Sequence, residues 1–458
     1  MTPHLLSSAC RRARACLKAL LCVGAFAIAL ANTAHAQTQV QARYEVEGWM
    51  AARTQDASLQ LNRLTVKPTV KVNSDTNWRA ELGLKLIVAK DDVGLGRTDG
   101  FSPASKPVLS GEDAALTVER AVLIHQTDNT EFTLGKQSVA WGSLDGLQVV
   151  DRFDPQRRVD FILSDPRPDR LSRWGARLKL HGVDSTWDLA VALDPSVSQM
   201  PTLAGAFLPQ QLKSPPAPGA GMPSLLRQNT LIMTALPLIQ SDRNDYIDDA
   251  TFGVRYERRF QGMTANLVAI SGPDTEPVSR LDISPRGPAL SLDYRRRNLI
   301  GASAERPLGA HVLRVEAALI PDQPTNLASL GAPLTDTRAR SLLGVGVDWN
   351  APADVFVNAQ IMLDHIDQTG GKTQRAETEA FTTLSLQRSF NNEAVRAKLD
   401  LAANLTKGDG MIRPSFSWQV NDTVSLSSGV DLFVGDRDGV LGQYRDESRG
   451  WIKLSATF

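Results

Sequence analysis

The sequence predicts an all-β fold, a transmembrane antiparallel up-and-down β-barrel of about 18 strands behind an N-terminal signal peptide. Three observations carry this. Apolar residues recur at every second position along the chain, as in Val355, Val357, Ala359, Ile361 and Leu363. Such alternation gives each strand one greasy and one wet face. Connections alternate between short and long, the pattern of periplasmic turns and outer loops. Aromatics on the apolar phase gather beside the short turns: Trp78, Phe132, Trp187, Phe260, Trp349, Phe390, Trp418 and Phe458. Aromatics at one level form the girdle of a membrane barrel, whereas a soluble core would scatter them.

Before the first strand, Arg11, Arg12, Arg14 and Lys18 precede an uncharged run from Ala19 to Ala31, and Ala34-His35-Ala36 follows. A positive start, an apolar stretch and a small-x-small site are the parts of an export signal. A spanning helix needs roughly 20 apolar residues, so this run is too short to be one. Residues 1–36 are therefore expected to be removed after Ala36, leaving 37–458 as the barrel. All three cysteines (Cys10, Cys16 and Cys22) fall within the signal, so thiol chemistry, disulfides and Cys-ligated zinc are excluded from the mature chain. The whole chain has 50 basic and 50 acidic residues; without the signal 46 basic remain against 50 acidic. That balance excludes a nucleic-acid binder, which needs a basic excess to neutralise phosphates. Such a chain is expected in the outer membrane of a Gram-negative cell, in contact with its lipid and lipopolysaccharide.

Period two places strands at 40–50, 59–72, 78–88, 115–126, 131–140, 174–181, 185–193, 251–260, 263–270, 289–306, 311–320, 341–349, 355–366, 379–390, 393–404, 411–420, 424–434 and 450–458. Both chain ends belong on the periplasmic side, which requires an even number. The stretch 289–306 is read as one long strand for that reason, its outer half standing above the membrane at Arg295-Arg296-Arg297.

Barrels of this width enclose an aqueous channel unless plugged. The pore-lining candidates on the polar phase are Arg63, Lys67, Lys71, Arg79, Lys85, Arg177, Lys179, Arg255, Arg259, Arg314, Arg396, Lys398 and Arg413. Acidic residues interleave with them, among them Glu45, Glu47, Glu81, Glu119, Glu257, Asp293, Glu316, Asp348, Asp364, Asp400 and Asp431. Two readings fit: a salt-bridged wet wall, or a conduit for an anionic solute, since rings of Arg and Lys favour anions.

The segment 141–173 mixes aspartates and arginines densely, and Pro155, Pro166 and Pro168 stiffen it. It is expected to fold inward and narrow the pore as a constriction loop, with Asp145, Arg152, Asp154, Arg157, Arg158, Arg167 and Arg170 as its charged members. Around it, Leu134-Gly135-Lys136-Gln137, Trp141-Gly142, Asp145-Gly146 and Asp154-Pro155 form a motif that resembles one in poorly characterised bacterial outer-membrane barrels. That group is similar to the alginate-export porins. The resemblance implies an eighteen-stranded porin conducting an anionic solute or polysaccharide, with arginines after the motif at the constriction.

The longest loop, 194–250, is expected to be extracellular. It holds a Pro-Gly stretch at 214–221 and a helix-like piece at 224–238, followed by Asp242, Asn244, Asp245, Asp248 and Asp249. Oxygen ligands at that density suit calcium, but the glycine and terminal glutamate of an EF-hand are missing, so no metal is expected. No nucleophile elbow, His-Glu-x-x-His or phosphate loop occurs. The expectation is a channel, not an enzyme, without cofactors and monomeric. The alternative is a structural or surface-interaction barrel whose pore is closed by its own loops.

Overall fold

The computed structural model describes residues 39–458 apart from 75, 90–94, 97, 99, 161–168, 203–204, 209–237, 241–244, 276, 285–286, 328–334 and 370. The predicted signal, the Pro-Gly stretch and Arg167 lie outside the described residues. So does the helix-like piece, except Leu238, which opens a short strand.

Eighteen strands form the barrel: β1 Gln39–Arg53, β2 Leu59–Asn73, β3 Trp78–Ala89, β4 Ala114–Gln126, β5 Thr130–Gln137 and β6 Arg173–His181. Next come β7 Ser185–Ala192, β8 Thr251–Phe260, β9 Met263–Pro273, β10 Arg296–Leu308, β11 His311–Asn326 and β12 Thr335–Ala351. The ring is completed by β13 Val355–Ile366, β14 Thr378–Phe390, β15 Val395–Asn404, β16 Asp409–Gln419, β17 Val424–Val434 and β18 Arg449–Thr457. Each pairs antiparallel with its chain neighbour. Closure comes from β1 against β18, from Glu45 opposite Thr457 to Arg53 opposite Arg449. A closed ring is what hydrocarbon demands, because an open edge would strand backbone polar groups there.

The count of eighteen holds, but one strand is placed differently. Residues 289–306 are not continuous. Gly287–Asp293 pairs with Val278–Ser284 and Leu238–Gln240 in a separate three-stranded sheet, and the barrel resumes at Arg296. The arginine run is the junction. Arg297 is pinned to Asp274 at 2.8 Å, and Arg296 donates to the carbonyls of Asp248 and Ala250 at 2.9 and 3.2 Å. Alternation alone could not reveal the break, because both pieces share the same parity. A further two-residue segment, Leu109–Ser110, adds beside β4.

All eight predicted girdle aromatics are exposed, from 36% for Phe132 to 69% for Phe458. They sit at one level: Trp187 lies 4.6 Å from Tyr256, and Trp349 lies 5.7 Å from His311. At the same rim, Gln261 and Gly262 both have positive φ (48° and 73°), the pair that a two-residue hairpin favours. Between β3 and β4 the register slips, with Gly83 opposite Arg120 but Leu84 opposite Val118. This bulge leaves Glu119 unpaired in the ladder and inverts the phase beyond it. Glu119 and Arg120 therefore both line the lumen cavity. His125, which alternation places on the polar phase, instead lies against Trp78 in the girdle at 4.6 Å.

Candidate functional site

The lumen-facing side of β7 to β13 is unusually apolar. Ala190, Ala192, Val268, Ile270, Leu299, Ala318, Ile320, Leu342 and Met362 form one buried cluster with Val139, Trp141, Val149, Val150 and Phe153. The first part of the 141–173 segment thus lies inside the barrel, seated on this wall. Glycines make the room. A Cβ on Gly253 would sit 2.5 Å from Trp141, one on Gly301 2.6 Å from Val150, and one on Gly346 2.7 Å from Leu144. A glycine within a strand often marks such a close backbone approach.

Polar groups lock the seat. The Glu316 carboxylate, almost fully buried on β11, accepts the backbone N–H groups of Ser143, Leu144 (3.1 Å) and Val150 (3.2 Å) and the Ser143 hydroxyl (3.0 Å). Trp141 donates its indole N–H to Asp188 at 2.9 Å and its backbone N–H to Asp151 at 3.1 Å. Asp154 accepts the Val139 N–H and pairs with Arg173 at 3.3 Å. Arg173 also donates to the Phe153 carbonyl at 2.6 Å and to Thr251 at 2.9 Å. Trp141 and Asp154 of the sequence motif are therefore occupied in holding the loop. Gly135 has φ +126°, and a Cβ there would meet the Ala121 carbonyl oxygen at 2.1 Å, so the strand leading into the loop requires glycine.

Two further segments cover the seated loop. Arg158 donates its backbone N–H to the Gln199 carbonyl at 2.8 Å, and Val197 donates to Gly100 at 2.9 Å. Phe207 packs with Phe433 and Tyr444. The opening stretch of the 194–250 segment thus runs back over the barrel mouth to β17, not outward from it. Asp194 is its anchor. Burial disfavours its charge, but hydrogen bonds from Ser102, Ser105 and Ser196 outweigh that and hold the carboxyl below its ordinary value. Of the acidic cluster, Asp245 accepts the N–H groups of Ile247 and Asp248, closing its own turn. Among the described residues no group of three His, Cys, Asp or Glu could hold a metal. Asp242 and Asn244 lie outside them.

A cavity of about 800 Å³ remains beside the loop. Of the predicted residues, Arg63, Lys67, Lys85 and Arg413 line it from the wall, and Asp145, Arg157 and Arg158 from the loop. The other wall candidates sit on the lumen phase of their strands, mostly in ion pairs. Arg177 and Arg255 share Asp188, Lys179 meets Glu131, and Arg259 meets Glu257. Arg314 meets Asp348 and Glu305, and Lys398 meets Asp400. Arg152 folds back on the Gln148 carbonyl at 2.9 Å. Arg170 pairs with Asp151.

Among the described residues seven basic and seven acidic side chains border the cavity, so their sum is neutral. Their distribution is not even. On the β2–β4 side the carboxylates are shared: Lys71, Arg79 and Arg120 all meet Glu81, while Lys85 and Arg157 both meet Asp169. Lys67 has no carboxylate within 4.0 Å among the described residues. That side carries a positive excess.

Among the described residues of the loop, the Asp154 carboxyl is pushed upward. Burial raises it to about 6, more than Arg173 and the Val139 N–H lower it. The seated loop thus takes up a proton near pH 6, which the unseated chain takes up only near pH 4. By linkage, seating strengthens as pH falls from about 6 to about 4 and weakens as it rises through that window. Asp194 acts only below this range. Trypsin cleavage at Arg157 and Arg158 should therefore slow on acidification across the window, after correction for the enzyme's own pH profile, and Asp154→Asn should flatten the change. A steady profile in both proteins would refute the assignment.

Sequence reasoning did not single out Trp49, Asp188, Asp194 or the wall glycines, and it treated Glu316 as ordinary wall charge. The signal that was available is the pair Gly344 and Gly346 on the lumen phase of a strand.

Two solved structures share this architecture. Acinetobacter baumannii OccAB1 is 9% identical over 92% of this chain and 96% of its own, with a TM-score of 0.51. Pseudomonas aeruginosa OccK8 (OprE) is 9% identical over 92% of this chain and 98% of its own, with a TM-score of 0.50. No family model matches the sequence, and no curated protein does. At such identity the likeness is one of fold: the chain is a closed eighteen-stranded antiparallel barrel with the fold of an outer-membrane porin.

Proposed function

We propose that the protein is a passive outer-membrane channel for a small polar solute carrying an anionic group. The observation that supports this best is the β2–β4 wall of the lumen cavity, where Arg63, Lys67, Lys85 and Arg120 stand with Glu119 as the one carboxylate among the described residues. Cationic side chains along a narrowed pore wall favour the passage of anions. Resemblance of the loop motif to the alginate-export group extends the cargo class to uronate chains. The seated loop favours a short solute, because residues 141–154 occupy space that a polymer would need. In planar bilayers the purified protein should give ionic steps that short oligouronates block. If no steps appear, even after deletion of 145–170, the channel reading fails. The second reading, a barrel closed by its own loops, would then stand, and the burial of residues 194–199 over the mouth favours it. We further propose export with removal of residues 1–36 and residence in lipid as a monomer. Intact mass, and native mass in detergent, check these two points.

A further inference from the structure

We infer that the lumen contains an anion-binding station at the indole N–H of Trp49, which takes the carboxylate head of a small solute; this deepens the channel reading above and rests on it. Trp49 stands on β1, is 4% exposed, and borders the cavity. Its Nε1 has no hydrogen-bond partner among the described residues. The other two lumen tryptophans are satisfied, Trp451 by Asp431 at 3.2 Å and Trp141 by Asp188 at 2.9 Å. A buried donor left unpaired is costly, and an indole N–H can only donate, so the group that completes it is an acceptor.

The surroundings say which acceptor. Arg63 lies over the Trp49 ring at 5.0 Å and Arg449 at 5.4 Å. With the ring so covered, a ligand arrives at the edge that carries the N–H. Arg449 is itself buried and has a second unpaired donor, Nη2. Four carboxylates stand nearby, each already engaged: Glu45 with Arg43, Glu47 with Lys453, Asp160 with Arg63, and Asp431 with Arg413 and Arg449. Lys67, opposite Glu45 in the ladder, adds a cation with no carboxylate of its own within 4.0 Å. Six cations thus accompany these four anions; Trp49 borders the cavity, and Arg449 borders the small space of about 20 Å³ that shares Asp160 with it. A neutral acceptor would satisfy the N–H but leave that excess unanswered, so an anion fits better.

The test uses the full-length protein in planar bilayers with potassium chloride and potassium acetate, beside Trp49→Phe. Phenylalanine keeps a ring under both guanidiniums and removes only the N–H. Acetate conductance should saturate in the wild type, and half-saturation should rise about threefold to tenfold in Trp49→Phe, the effect of one lost hydrogen bond. Saturation with chloride alone would make the station a site for inorganic ions and overturn its carboxylate role. Linear conductance, identical in both proteins, would overturn the station while leaving the channel intact. If no current flows, the channel reading fails on its own. The station is then judged by emission: acetate should shift the wild-type minus Trp49→Phe difference spectrum to the red with saturation, and no shift would overturn it.

Discussion

Replacing Glu316 by alanine is expected to free residues 143–150 from the barrel wall and to raise single-channel conductance several-fold. This carboxylate is the largest polar anchor of the loop, collecting three backbone N–H groups and one hydroxyl. Hydrogen bonds to a charged acceptor contribute about 1.5–3 kcal/mol each, and donors left buried without partners add to the loss. Alanine would remove all four at once, an effect on the order of 5 kcal/mol on seating. That is comparable to the burial of two aliphatic side chains, about 1.5–3 kcal/mol apiece. The seat formed by Val149 and Val150 alone should then no longer hold the loop in place. Glu316→Gln keeps one acceptor oxygen in the same place, so its conductance should lie between the two. Faster trypsin cleavage at Arg157 and Arg158 would accompany the change. Wild-type conductance and cleavage in Glu316→Ala would show that the apolar wall suffices and that the carboxylate is incidental.

Enlarging the wall under the loop should have the second largest effect. A Cβ on Gly344 would meet Leu144 Cδ1 at 2.4 Å and Val149 Cγ2 at 2.9 Å, with its next neighbour, the Ile361 carbonyl, at 3.9 Å. The space at Gly344 is thus claimed by the loop and not by the barrel. Gly344→Val leaves the strand pairings of β12 intact but overpacks the seat, which costs about 1–3 kcal/mol. Leu144→Ala alone opens a void and loosens the loop as well, though less than in a sealed core because Leu144 is only partly buried. Combined, the two should compensate, with a coupling of about 1–2 kcal/mol between sites in contact. The double variant should recover loop protection against trypsin that each single variant loses. Strictly additive losses would mean that Leu144 and Gly344 do not meet.

Both effects concern features that differ in how legible they were in the sequence. Strand number, strand phase and the aromatic rim follow from a period of two, because side chains of a strand alternate strictly between lipid and lumen. Those constraints are local, and they are visible in Trp451–Phe458 as readily as in Val355–Leu363. Alternation misplaced His125 and the 289–306 stretch for one reason. A bulge at Glu119 and a strand that leaves the ring at Asp293 both change where a side chain points without changing the pattern. The charged candidates were found as a class, since each lies on the wet phase. Their partners were not legible, because Glu81 with Lys71 and Arg120, or Asp431 with Arg413 and Arg449, meet only across strands whose register the chain order does not reveal.

By itself, the sequence determined a lipid-facing barrel with a polar interior and one densely charged loop, because hydrocarbon and water sort side chains residue by residue. Only the tertiary structure decided how the loop is seated, against an apolar patch on β7 to β13 relieved by glycines, with Glu316 as its clasp. It also decided that Trp49 borders the remaining space, with its indole N–H unpartnered among the described residues. These are properties of surfaces brought together from strands far apart in the chain. Burial and hydrogen bonding there depend on which walls meet, and the meeting exists only once the ring has closed.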